Sequence, residues 1–143
     1  MQLKNSGLNQ IIKKTIIVLP DTPLLEARSI LLRHKISRLI VARNDKPVGI
    51  ITEKDLVRAI YYLAGKPLEA IRVSEFMSRD LITITEKDTI HDCAKLMLSH
   101  KISSILVLKK DATLAGIITK TDLASVFLTQ SSVPLPVSKI MTK

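Results

Sequence analysis

The chain alternates short β-branched runs with stretches of helical periodicity, and it does so twice. Ile16 to Leu19 is a β-branched run ended by Pro20, after which Asp21-Thr22-Pro23 offers an N-cap and a proline at or near the first helical position. Leu24, Ala27, Ile30, Leu31 and His34 then recur at helical spacing, with Glu26, Arg28 and Arg33 on the other side. This predicts an amphipathic helix from Pro23 to about Lys35 whose apolar stripe faces a sheet. Leu39-Ile40-Val41-Ala42 and Val48-Gly49-Ile50-Ile51 flank the polar Asn44-Asp45-Lys46-Pro47, the pattern of a hairpin. Glu53 to Ala64 returns to helical spacing through Leu56, Val57, Ile60 and Leu63, and Gly65-Lys66-Pro67 stops it.

The same order, strand, helix, strand, strand, helix, follows with Ile82 to Ile84, Thr89 to Ser99, Ile105 to Leu108, Ala115 to Ile118 and Lys120 to Leu128. His34-Lys35-Ile36-Ser37 returns as His100-Lys101-Ile102-Ser103 after 66 residues, and Gly49-Ile50-Ile51-Thr52-x-x-Asp55-Leu56 returns as Gly116-Ile117-Ile118-Thr119-x-x-Asp122-Leu123 after 67. One residue is therefore inserted between the two words, and Asp111-Ala112-Thr113, a hairpin turn, is where insertion is easiest. Self-similarity at a fixed period marks a repeated supersecondary unit. A unit of about 60 residues alone is only marginally stable, so two copies sharing a core are expected. The first spans residues 1–72 with its lead-in and the second 73–143 with a tail. The joint Val73-Ser74-Glu75-Phe76-Met77-Ser78 is echoed by Val137-Ser138-Lys139-Ile140-Met141-Thr142, which reads either as the start of a further unit in a longer protein or as a tail that closes the duplication.

Composition narrows the chemistry. Apolar residues make up 46% of the chain but aromatics only 3%, so the core is aliphatic, and no apolar run approaches the roughly 20 residues of a membrane span. Met1 to Lys14 lacks the apolar stretch and cleavage site of a signal peptide, and a cytoplasmic protein without membrane contact is expected. Cys93, the only cysteine, stands where the first copy has Ala27 and reads as a small core residue; His91 beside it points to another helix face, which argues against a metal site. Twenty-two Lys and Arg against 13 Asp and Glu give a formal charge of +9, which suits phosphate-bearing partners without choosing among them. The cations are scattered and no aromatic residues interleave with them as a nucleic-acid stacking platform needs. No nucleophile beside a base, metal-spaced cluster or glycine-rich phosphate loop is visible, so catalysis and a catalytic cofactor are not expected.

The repeated chemistry sits at Thr52-Glu53-Lys54-Asp55 and Thr119-Lys120-Thr121-Asp122, each at a strand-to-helix junction. A helix start offers backbone N–H groups and the positive end of its dipole, a Thr hydroxyl can donate to phosphate, and an Asp can accept both hydroxyls of a ribose. Thr-x-x-Asp is also close to a capping box, and the junction alone favours that plainer reading. Each junction follows a Gly-Ile-Ile that puts a residue without a side chain at the same place, as needed where backbone or ligand approaches closely. His34 and His100, in the last turn of their helices, read as caps on free carbonyls.

With these motifs in both copies, the chain from about Thr15 to Leu128 resembles a tandem pair of cystathionine beta-synthase (CBS) domains, a Bateman module. The resemblance implies a mixed α/β (α+β) fold in which two pseudo-twofold-related repeats pack through their sheets and leave two clefts for adenosyl compounds, AMP, ADP, ATP or S-adenosylmethionine, bound as regulatory ligands. By resemblance one cleft joins Thr15, Ile16, Ile36, Ser37 and Arg38 with Thr119, Thr121 and Asp122, and the other joins Thr52, Lys54 and Asp55 with Leu81, Ile82, Ile102, Ser103 and Ser104. Asp122 and Asp55 would hold ribose, Thr119 and Thr52 phosphate, and the apolar groups adenine. Arg38 corresponds to Ser104, and a guanidinium grips phosphate where a serine cannot, so the Asp122 cleft is expected to be the better nucleotide site. The implied protein is an energy-sensing regulatory switch, not an enzyme, acting on an unknown regulated protein. It is a homodimer through an apolar face of Ile60, Tyr61, Leu63, Val126, Phe127 and Leu128. Two other classes stay open: a nucleic-acid-binding protein using its basic surface, and a ligand-free scaffold whose junctions are merely capped.

Overall fold

The β-branched runs pair into two three-stranded sheets, one per repeat. The computed structural model describes residues 11–130, with side chains as far as Ser125. The first repeat comprises β1 (Ile17–Val18), α1 (Leu24–His34), β2 (Arg38–Arg43), β3 (Lys46–Thr52) and α2 (Glu53–Leu63). The second comprises β4 (Thr83–Thr85), α3 (Ile90–His100), β5 (Ser104–Leu108), β6 (Leu114–Thr119) and α4 (Lys120–Gln130), and short 3-10 turns at Leu68–Ala70 and Val73–Glu75 lie between the repeats. Within each sheet the middle strand is parallel to the first and antiparallel to the third. Among the described residues no helix is long and apolar enough to cross a membrane.

Local chemistry differs from expectation at several ends. Pro23 is itself the N-cap of α1, without a side-chain cap, because the Thr22 hydroxyl is turned back to accept from the Leu19 N–H at 3.1 Å. The Leu24 N–H is met instead by the Ile71 carbonyl at 2.7 Å. The matching α3 has a full capping box between Thr89 and Asp92. At the far ends Lys35 and Lys101 turn left-handed (φ 53° and 54°), and the following Ile36 and Ile102 N–H groups reach back to Leu31 and Met97 carbonyls at 3.1 Å each. Backbone thus closes these helices; His34 and His100 make no side-chain hydrogen bond among the described residues. The α2 helix ends on Ala64, also left-handed (φ 43°), one residue before Gly65. The first hairpin turns on Asn44 and Asp45 alone, both left-handed, so Lys46 and Pro47 belong to β3, and the extra residue of the second copy lies in the longer connection from Lys109 to Thr113.

Period-two alternation sorts the strand residues onto two faces. Leu39 and Val41 pack under α1 and α2 with Leu24, Ala27, Leu31, Ile51, Leu56 and Ala59. Ile105 and Val107 do the same under α3 and α4 with Ile90, Cys93, Met97 and Ile118. The residues between them, Ile40 and Leu106, face the other way and meet each other with Ile117 in a third buried cluster that joins the sheets. A single methylene-rich layer, flanked by Ile50, Leu81 and Leu114, therefore holds repeat to repeat.

The lead-in of each repeat crosses to the sheet of the other. Lys13 pairs with Ile117 on the outer edge of β6, with both N–H···O bonds at 2.9 Å, before the chain enters β1. Ser78 pairs in the same way with Ile50 on β3, with bonds of 2.8 and 3.0 Å, before the chain enters β4. Ile11 accordingly belongs to the second repeat's core, and Val73 and Met77 to the first's. Both crossings lie against the conserved-in-place glycines of the duplication: a Cβ on Gly116 would stand 2.5 Å from the Lys13 carbonyl oxygen, and one on Gly49 would stand 2.8 Å from Met77 Cγ. Gly116→Ala and Gly49→Ala should each lower stability by about 1–3 kcal/mol, read from urea denaturation. Unchanged midpoints in both variants would mean that the crossing strands are not held there.

Candidate functional site

The crossing strands bring the lead-in of one repeat beside the strand-to-helix junction of the other. At the β6–α4 junction Thr119 Oγ donates to Asp122 Oδ2 at 2.7 Å and accepts from the Asp122 N–H at 3.2 Å. The Lys120 N–H bonds the Ser103 carbonyl at 2.8 Å, so the helix start is satisfied largely from within the chain. Lys13, from the crossing strand, places its Nζ 3.1 Å from the same Asp122 Oδ2. The β3–α2 junction is closed more completely. Asp55 Oδ2 accepts from both the N–H and the hydroxyl of Thr52 at 2.9 and 3.0 Å, and Oδ1 accepts from Arg58 at 2.9 Å. Asp55 is buried, whereas Asp122 is only half-buried. Both junctions are thus caps, but only the first leaves one carboxylate oxygen, Asp122 Oδ1, without a partner among the described residues.

Open space gathers on the Asp122 side. A cavity of about 780 Å³ is lined by Thr15 and Ile16 of the lead-in, by Ile36, Ser37 and Arg38 after α1, and by Thr119 of the second repeat. A neighbouring pocket of about 420 Å³ shares Lys13, Arg38 and Thr119 with it and adds Thr121 and Asp122. All eight residues anticipated for this cleft therefore line one or other of two adjoining spaces. The second cleft is smaller, about 320 Å³, and holds Thr52, Ile82, Ile102, Ser103 and Ser104. Lys54, Asp55 and Leu81 do not line it: Lys54 is exposed, Asp55 is closed off by Arg58, and Leu81 flanks the sheet-to-sheet layer. Arg38 lines all three spaces, standing on the wall between the clefts, so it does not by itself distinguish them.

The electrostatics were only partly anticipated. Lys13, Lys14, Lys35 and Arg38 line the large cavity against the single carboxylate of Glu53, while Asp80 faces the small cleft. Lys13 and Lys14 were legible as a basic pair directly before Thr15, but nothing local in the sequence says that they cross to the other repeat. The hydrogen bond from Thr119, and behind it Lys13, hold the Asp122 carboxyl below its ordinary value of 3.8 against the opposing pull of desolvation. Burial pushes the Cys93 thiol up to about 11, in keeping with a core side chain. Among the described residues no three His, Cys, Asp or Glu side chains are grouped to hold a metal ion.

Comparison with known proteins fits this geometry. MJ1426, an uncharacterized protein of Methanocaldococcus jannaschii, is 31% identical over 147 residues, covering 81% of this chain and 88% of that one. An inosine-5'-monophosphate dehydrogenase of Korarchaeum cryptofilum is 32% identical over 112 residues, but the chain spans only 22% of that enzyme's length, and only 37% of the uncharacterized M. jannaschii protein MJ1232. Among solved structures, the CBS domain pair of MJ0100, in complex with 5'-methylthioadenosine and S-adenosyl-L-methionine, superposes with a TM-score of 0.69 at 28% identity, covering 85% of this chain and 99% of that one. CBSX2 in complex with AMP superposes with a TM-score of 0.73 and coverage of 86% and 96%; at 21% identity this is a likeness of fold alone. The CBS domain itself matches residues 8–62 and again residues 73–129. With one match on each half of the duplication, the chain belongs to the CBS domain family as a tandem CBS pair.

Proposed function

We propose that this CBS pair is a regulatory module that binds an adenine nucleotide in the cleft between Arg38 and Asp122. The observation that carries the reading is the composition of that cleft. Residues of both repeats line one open region that combines the half-buried Asp122 carboxylate for ribose, hydroxyls of Thr119 and Thr121, apolar walls at Ile16 and Ile36, and five cations, Lys13, Lys14, Lys35, Arg38 and Lys120, against the carboxylates of Glu53 and Asp122. Such an excess of cations favours a phosphate-bearing ligand, AMP, ADP or ATP, over S-adenosylmethionine. The adenosyl ligands bound by the MJ0100 pair support the ligand class. Because the ligand would touch both repeats, its binding energy differs between arrangements of the two, which is what a switch requires. The second cleft, smaller, faced by Asp80 and lacking an available Asp55, is the weaker site. The reading carries no chemistry on the ligand: the module regulates and does not catalyse.

The exposed face of α2 supports self-association. Val57, Ile60 and Tyr61, at i, i+3 and i+4, are 65%, 62% and 78% exposed, more apolar surface than one helix normally leaves in water. Leu63, expected on that face, instead packs against the first core, and the side chains of Val126, Phe127 and Leu128 lie outside the described residues, as does the echo at 137–142.

Four measurements test these readings. In isothermal titration with AMP, ADP, ATP and S-adenosylmethionine, at least one nucleotide should bind saturably, and Asp122→Ala should weaken it by about tenfold or more, the scale of a lost charged hydrogen bond. Flat traces for all four on nucleotide-free protein would overturn the proposal. Ile60→Asp should shift the sedimenting species from dimer to monomer; a wild-type monomer at micromolar concentration would remove the interface. Carbon-detected NMR should place the Asp122 midpoint below 3.8, with Thr119→Val raising it more than Lys13→Ala. Since a depressed carboxylate pKa adds stability above the unfolded value and loses it as pH falls through the folded midpoint, Asp122→Asn should flatten the acid limb of the stability curve below about pH 4.

A further inference from the structure

We propose that Lys13 sets the ligand selectivity of the Asp122 cleft, favouring adenosyl ligands that carry phosphate and rejecting those that do not. The inference rests on the adenine-nucleotide reading above and deepens it. Lys13 is fixed at its backbone, hydrogen-bonded on both sides to Ile117, so its ammonium swings from a stationary point on the edge of β6. That ammonium sits 3.1 Å from Asp122 Oδ2, yet the Lys13 side chain is 61% exposed, so the pair is loosely held and displaceable. Lys13 lines both the pocket that holds Asp122 and the larger cavity that holds Lys14, Lys35 and Arg38.

A ribose whose hydroxyls donate to Asp122 takes over acceptor positions that the ammonium now uses. What happens to the displaced charge then depends on the rest of the ligand. A phosphate in the large cavity gives Lys13 a new partner and offsets part of the charge of the three neighbouring cations. A neutral ligand leaves four cations lining a space in which Glu53 is the sole carboxylate. Displacement of Lys13 is thus offset for a nucleotide and uncompensated for a nucleoside. The other cleft has no such device. The residue that pairs with β3 in place of Lys13 is Ser78, and Asp55 is held by Arg58 of its own helix, where the second repeat has Ser125.

The distinguishing consequence is a change of opposite sign for two ligands. Isothermal titration at low ionic strength would compare AMP with 5'-methylthioadenosine on the full chain, as wild type, Lys13→Ala and Lys13→Met. In both variants the Kd for AMP should rise about three- to tenfold and that for 5'-methylthioadenosine should fall about two- to fivefold, the scale of exposed charge pairs. Thermal unfolding checks that each variant is folded, and Lys13→Met keeps the apolar stem, so a shift shared by both variants reports the charge. Movement of both ligands in the same direction, no movement of either, or an effect in Lys13→Ala that Lys13→Met abolishes would overturn the assignment while leaving the nucleotide site intact. Absence of binding of both ligands to wild type would overturn this inference, and flat traces for ADP and ATP as well would remove the nucleotide reading with it.

Discussion

The constraint on which the rest depends is the exchange of lead-in strands between the repeats. A three-stranded sheet with helices on one face has an apolar second face and a free outer edge, and neither is tolerable alone in water. Here each edge is met by the segment that precedes the other repeat: Lys13 on β6 and Ser78 on β3. The approach is tightest at Gly116, where a Cβ would stand 2.5 Å from the Lys13 carbonyl oxygen; at Gly49 a Cβ would meet the Met77 side chain and stand 3.0 Å from the Ser78 carbonyl oxygen. Once the crossings are made, Ile40 and Leu106 have no place to go except against each other, and the face-to-face packing follows. Each strand-to-helix junction is then forced to lie beside a segment of the opposite repeat, which is why the clefts are mixed in origin.

At those junctions the cap and the proposed binding site are the same atoms. A carboxylate offers about four acceptor positions, and the question is how many the fold consumes. Asp55 gives three, two to Thr52 and one to Arg58, whose donation comes from the same helix and is not removed without loss of the local ion pair. Asp122 gives two, one to Thr119 and one to a lysine that arrives from another segment and stands mostly in solvent. Duplication supplied two identical motifs; the sixth residue of each helix, Arg58 against Ser125, decided which remained available.

Much of this was readable before any coordinates. Both copies of the strand-helix-strand-strand-helix unit, the insertion in the second hairpin, the aliphatic core and the place of Cys93 in it all follow from short-range periodicity, which local patterns encode directly. The eight residues of the larger cleft were reached through the family resemblance, and the structure brings them together. What escaped was set at long range. Lys13 is one of many scattered cations in the sequence, and its partner, Asp122, lies more than a hundred residues away in the chain. Asp55 is the local exception: its motif matches that of Asp122, and only Arg58, three residues on, sets it apart. Leu81 looked like a cleft residue, but a leucine beside two packed sheets gains more by flanking their apolar layer. Pro23, lacking a capping side chain, could be the N-cap only because Ile71, from beyond α2, supplies the missing acceptor.

Few residues set the angle between the repeats. Three side chains form the buried part of the layer between the sheets, helped by three at its margin and by a bond from the Leu114 N–H to the Asp45 carbonyl at 2.8 Å. Each core, by contrast, is a separate and larger cluster. A change in the angle would therefore disturb the thin layer and the lead-in strands before most of either core. Lys13 sits at the junction of the repeats with its backbone on one repeat's edge strand, its chain continuing into the other's first strand, and its ammonium on Asp122. On the proposed reading, a ligand that rearranged this one side chain would act on the segment that couples the two repeats, and a small binding event would have a direct mechanical route to the relation between them.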